Sequence, residues 1–117
     1  MRQIEWMGSS KEDLMDMPED VRGVFGHGLY LAQEGQRHTN AKPYGSNIEL
    51  IERHDGDTYR CIYSVNIGDD IYVLHAFQKK STSGIAVPKH VKATIDARFK
   101  AAKLLAAAKK AQSKQDI

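Results

Sequence analysis

Between residues 48 and 77 three apolar runs, "IELIER", "TYRCIYSV" and "IYVLHAF", follow one another with only "HDGD" and "NIGDD" between them. Connections that short leave no room for a crossover helix, so the runs must form antiparallel neighbours. Asp55-Gly56 is a strong signal for a tight turn, and Gly68-Asp69 a second, weaker one. Such a meander must be covered on its apolar side, and the flanking sequence supplies helices. "SSKE" reads as a capping box, with Ser9 as cap and Glu12 reaching back. The short helix it opens runs to about Met17. Pro18 opens a second helix, in which Val21, Val24, Phe25, Gly28, Leu29 and Ala32 recur on one face. Gly23, Gly26 and Gly28 each cost about 1 kcal/mol relative to Ala there, which we read as a need for close packing. Gly35 stops that helix.

"RQIEWM" is a further short strand and "HTNAKPYGSN" a loop. Pro88 starts a long final helix reaching about Lys110, with residues from about 107 to 117 forming a frayed basic tail. The order is therefore strand, two helices, three antiparallel strands, helix. That is a single α+β domain over residues 1–117, large enough for one core and too short for two. No run of 18 apolar residues occurs and the N-terminus has no apolar h-region, so neither a spanning helix nor a secretory signal is expected. A lone cysteine, Cys61, inside a strand points to a reducing cytoplasm. No cysteine/histidine cluster or acidic triad marks a metal site, and no cofactor is expected.

Charge is divided unevenly. Residues 1–76 carry 7 Lys+Arg against 13 Asp+Glu, a balance of −6, whereas residues 77–117 carry 10 against 2, a balance of +8. Such asymmetry fits a polyanion or an acidic protein as partner; a solvated lysine-rich helix would give the same composition.

The turns also fix register. With Asp55-Gly56 as a two-residue turn, Ile51 lies opposite Arg60; with Gly68-Asp69 as the next, Arg60 lies opposite Phe77 and Ile62 opposite His75. One face then carries Ile48, Leu50, Tyr59, Cys61, Tyr63, Leu74 and Ala76, a core for the helices. The other carries three rows: Arg53, Thr58 and Lys79; Ile51, Arg60 and Phe77; Glu49, Ile62 and His75. Diagonal neighbours sit about 7–8 Å apart, so Glu49, His75 and Lys79 surround Arg60 on a solvent-facing surface. Cations, an imidazole and a carboxylate together suit RNA self-cleavage: a base for the 2′-OH, a cation for the phosphorane charge, an acid for the 5′-oxygen. Arg60 paired with Glu49 as a structural ion pair is the competing reading.

The segments "WMGSSKEDLMDMPEDVRGVFGHGLYLAQEGQ", "HDGDTYRCIYSV" and "YVLHAFQKKSTSGIAVPKH" together resemble the RelE/ParE superfamily of toxins, in its HigB-like, phage-derived branch. The resemblance covers about residues 4–100. It implies a RelE-like fold: a small antiparallel sheet with two N-terminal helices packed on one face and a C-terminal helix. It further implies the toxin of a type II toxin–antitoxin system, a ribosome-dependent endoribonuclease that cleaves mRNA without metal. A co-encoded antitoxin, usually a helix-turn-helix protein, silences such toxins. On this basis Arg60, Lys79, His75 and Glu49 are the candidate catalytic residues, His75 and Glu49 competing as general base. Lys80, Arg53, Lys89 and Lys92 are the candidate RNA contacts. The later cations Arg98, Lys100 and Lys103 suit either ribosomal RNA or an acidic antitoxin segment. A ParE-like gyrase inhibitor and a weakened homologue that only binds its antitoxin remain the alternatives.

Overall fold

A computed structural model describes residues 1–79 and 87–115. The chain runs β1 (Ile4–Trp6), α1 (Ser10–Met15), α2 (Glu19–Gln33), β2 (Ala41–Tyr44), β3 (Asn47–His54), β4 (Asp57–Ser64), β5 (Ile71–Lys79) and α3 (Lys89–Gln115). The strands form one open sheet in the order β1-β5-β4-β3-β2. β1 runs parallel to β5, and every other pair is antiparallel. This is an α+β arrangement consistent with a RelE-like fold.

The Asp55-Gly56 turn forms as read, with φ of 50° and 83°, the pair of positive values that a tight hairpin needs. It sets Ile51 opposite Arg60 and Arg53 opposite Thr58. On the other side Arg60 faces Phe77 and Ile62 faces His75. Beyond that row the ladder slips: Tyr63 pairs with Val73, leaving Leu74 as an extra residue in β5. Leu74 was expected on the Tyr63 face. The bulge instead turns it to the opposite face, where it packs with Ile62, Tyr72, Val91 and Ile95.

α1 and α2 cover one face. Leu14, Met17, Val21, Phe25, Leu29 and Ala32 pack there on Ile48, Leu50, Tyr59, Cys61, Tyr63, Val73 and Ala76. Full burial of a Phe, Leu or Ile contributes about 1.5–3 kcal/mol, so this layer dominates the core. Close packing is real at Gly28, where a Cβ would stand 2.7 Å from Leu50 Cδ1. Gly23 and Gly26 have nothing within 4 Å of such a Cβ, so that reading is corrected for both.

Three other expectations change. Residues 41–44, read as loop, form an edge strand; Pro43 obscured it, and proline is tolerated at an edge. Ser9 does not cap α1 with its side chain. Its Oγ donates instead to Asp13 Oδ2 at 2.7 Å. Finally, α3 runs to Gln115 and lies across the face that was expected to be open.

Candidate functional site

All four candidate catalytic residues share the face beneath α3, as the register requires. Arg60 sits on the central strand β4 and donates from Nη1 to Glu49 Oε2 on β3 at 2.6 Å. Glu49 is 8% exposed and Arg60 15%. An ion pair so withdrawn from water carries a desolvation cost that its mutual attraction must offset, so either partner left alone would be an uncompensated buried charge. Arg60 Nε is buried with no partner among the described residues. Lys79, opposite Thr58, is on the same face one row away and is also buried. Arg60 was expected to face solvent; the helix laid over this surface is what overturns that.

The same face continues onto β2, where Lys42 lies opposite Glu49 and Tyr44 opposite Asn47. The Tyr44 phenol is pushed above its ordinary value by burial first, and then by Asp96 of α3 and by Glu49, with Arg60 acting in the opposite sense. Tyr44 and Asp96 thus belong to the electrostatic surroundings of the Arg60–Glu49 pair. Sequence reasoning missed Tyr44 because "AKPY" was not recognised as a strand, and Asp96 because no local signal says where α3 docks. Once it is paired with β3, alternation alone puts Lys42 and Tyr44 beside Glu49.

His75 is on the same face, opposite Ile62, but its partners are not Arg60 and Glu49. Its ring stacks on Phe77 with centroids 5.0 Å apart. Its Nδ1 lies 3.0 Å from Arg98 Nη1. A guanidinium only donates, so Nδ1 is the acceptor and the ring proton belongs on Nε2. Burial, and then Arg98, lower the His75 pKa below its usual value, so the imidazole is neutral at neutral pH. The same Arg98 Nη1 donates to Leu74 O at 3.1 Å, satisfying the carbonyl of the bulge, while Nη2 donates to Ser9 Oγ at 3.0 Å. Arg98 is therefore spent on tying α3 to β5 and α1. Its guanidinium fits against Gly8, where φ is +54° and a Cβ would come within 2.5 Å of Nε. His75 itself lines a groove of about 380 Å³ along β5 with Asp13, Asp16, Tyr59, Phe77 and Gln78, and Arg60 does not line it.

Among the candidate RNA contacts, Arg53, Lys89 and Lys92 are exposed. Lys80 lies outside the described residues. No group of three or more His, Cys, Asp or Glu side chains that could hold a metal ion is found among the described residues. No described helix is long and apolar enough to cross a membrane. A cavity of about 790 Å³ between residues 66–70 and the end of α3 is lined by Lys103, among others, and by none of the candidate catalytic residues.

Residues 12–100 match the family described as phage-derived protein Gp49-like (DUF891), so most of the chain, including β3–β5 and the start of α3, is covered. The chain belongs to this family, which is tied to toxin–antitoxin toxins of the RelE/HigB type and so implies an antitoxin partner. No curated protein and no solved structure matches.

Proposed function

We propose that this chain is the toxin of a type II toxin–antitoxin pair and acts as an endoribonuclease, cutting mRNA on the ribosome without metal. The observation that carries the reading is an arginine on the central strand with a buried, unpartnered Nε, anchored by one carboxylate and sharing its face with Lys79. A guanidinium is planar and forked, so one edge can hold Glu49 while another meets a phosphate. In the reaction the 2′-oxygen attacks phosphorus, the bond to the 5′-oxygen breaks, and a 2′,3′-cyclic phosphate and a 5′-hydroxyl result. Arg60 neutralises the charge gathering on the phosphorane oxygens. Glu49, close to the arginine that meets the phosphate, takes the 2′-OH proton, and Lys79 supplies the second cation and gives a proton to the leaving 5′-oxygen. His75, fixed by Arg98 in the groove along β5, serves the fold in this reading. Arg53, Lys89 and Lys92 hold the RNA backbone from the rim.

The test is single-turnover cleavage of mRNA on programmed ribosomes. Arg60→Ala should cut the rate by about 10²–10³-fold, the scale of one lost electrostatic donor. Arg60→Lys should recover only part of it, because a point charge lacks the two-pronged contact. After induction without antitoxin, amino-acid incorporation should fall before DNA synthesis. The opposite order, with loss of supercoiling, would establish gyrase inhibition instead.

A further inference from the structure

On the face of the sheet away from Arg60, at the C-terminal end of α2, lies a cavity of about 200 Å³ lined by Arg2, Gly35, Gln36, Arg37, Tyr63 and Val65, among others. Tyr63 is fully buried, and its hydroxyl, the only polar atom of its side chain, has no partner among the described residues. A buried hydroxyl without a partner is unfavourable, and the protein keeps one at the wall of a polar cavity. Arg37 is close enough to act electrostatically on that phenol.

Arg2 is not a loose surface arginine. Its Nε donates to Asp69 O at 3.0 Å, and its Nη2 donates to Val65 O at 2.6 Å and to Gly68 O and Asp70 O, both at 3.3 Å. The residue is clamped at its other end as well, since Gln33 Nε2 donates to Arg2 O at 2.6 Å. Nη1 takes part in none of these bonds. A helix C-terminus beside the cavity would ordinarily repel an anion. Here its carbonyls are engaged: Gly35 N donates to Ala32 O at 3.0 Å and Gln36 N to Leu31 O at 2.8 Å.

We propose that this cavity binds one small oxyanion, a phosphate group or a carboxylate, held by the Arg2 and Arg37 guanidinium groups and by the Tyr63 hydroxyl. Two forked cations and one neutral donor are the complement such a group needs. The phenol remains a donor at neutral pH, because burial pushes its pKa up to about 12 against the smaller opposing effect of Arg37. At about 30 Å³ per water in the liquid, the volume admits an oxyanion and a few waters but not a nucleoside. The site is independent of the Arg60 chemistry, since it lies on the opposite face.

The experiment titrates the whole chain with inorganic phosphate and, separately, with acetate, at constant ionic strength and with chloride as reference. The Gly35, Gln36 and Val65 amide resonances report binding, and a thermal melt is recorded for each anion. A saturable shift of these amides by either anion supports the site, and the tighter of the two identifies the group it takes. Arg37→Gln, at an exposed position, should weaken binding by about tenfold or more, the worth of a charge-assisted hydrogen bond. Tyr63→Phe should melt no lower than the parent in chloride, yet lose most of the stabilisation by the bound anion. Shifts no larger than those of chloride, or unchanged in Arg37→Gln, would overturn the proposal. So would a Tyr63→Phe variant that loses stability in chloride but keeps the full anion response.

Discussion

Phe25, Leu29, Leu50, Cys61 and Tyr63 make one side of the sheet a continuous apolar layer under α1 and α2. The other side mixes Ile62, Tyr72 and Leu74 with Glu49, Arg60, Lys79, Asn47 and Ser64 under α3. Three polar atoms there, Arg60 Nε, Asn47 Oδ1 and Ser64 Oγ, are buried without partners among the described residues. α3 reaches this surface through Val91 and Ile95 at its start, and further on through buried Ala102 and Ala106 with the partly buried Phe99 and Leu105 beside them. Alanine carries little apolar area and Leu105 is only partly buried, so the second half of the helix is held less firmly than its start. The difference separates a face whose one such exception on the described strands is the Tyr63 hydroxyl from one where local rules of burial are broken repeatedly, as they are where chemistry is done.

The largest effect tests the dry side. Phe25 is fully buried, so Phe25→Ala should remove about 3–5 kcal/mol of stability, as core Phe→Ala changes do. Urea unfolding of the two proteins reads it directly. A loss under about 1 kcal/mol would mean that the two faces are equally loosely packed and that the contrast is mistaken.

Arg60 tests the wet side. Arg60→Ala leaves Glu49 buried without its cation, and should cost about 2–3 kcal/mol, below the 3–5 of a fully enclosed pair because Arg60 keeps some exposure. Replacing both partners, as Arg60→Met with Glu49→Leu, should restore most of that stability. Cleavage should stay lost in the double variant. If stability and cleavage return together, the pair was scaffold.

His75 gives the pH dependence. Its folded pKa lies below the ordinary value of 6.5, chiefly through burial and next through Arg98. The unfolded chain therefore binds the proton first as pH falls. This contribution to stability is present above about pH 6.5 and is lost as pH drops from there toward the folded value, with a slope of at most about 1.4 kcal/mol per pH unit. Melts between pH 5 and 7.5 should show the loss in the parent and less of it in His75→Gln. Parallel curves would assign the slope to another group.

How far the sequence foretold this depends on which link is asked. The three rows around Arg60 were legible because a turn such as Asp55-Gly56 fixes pairing and pairing fixes face. Leu74 was not, since a bulge follows from the packing of Arg98 and α3 against β5, with no local signal in "YVLHAF". Burial of Arg60 was equally invisible. It depends on where α3 docks, and that helix presents alanines whose face is ambiguous by hydrophobic pattern. The basic residues of α3 were read together as polyanion contacts, but Arg98 is committed to Leu74, His75 and Ser9, and Lys109 to Glu5 and Asp70.

Lys109 offers the finest probe of the contrast. It bonds Glu5 and reaches Asp70 Oδ2 at 2.8 Å, joining the far end of α3 to β1 and to the start of β5. These hydrogen bonds raise its pKa, yet its side chain is 41% exposed. Solvent screening limits such a pair to about 0–1 kcal/mol. Lys109→Ala should therefore barely move the global midpoint. Its effect should be local, because Ala102, Ala106 and the partly buried Leu105 hold that half of α3 less firmly than Val91 and Ile95 hold its start. Native-state hydrogen exchange should quicken for amides near Ala106 while those of Cys61, Ile62 and Leu74 keep their protection. Uniform acceleration in both regions would instead show that α3 unfolds only with the rest of the domain, and that its face is no weaker than the one beneath α1 and α2.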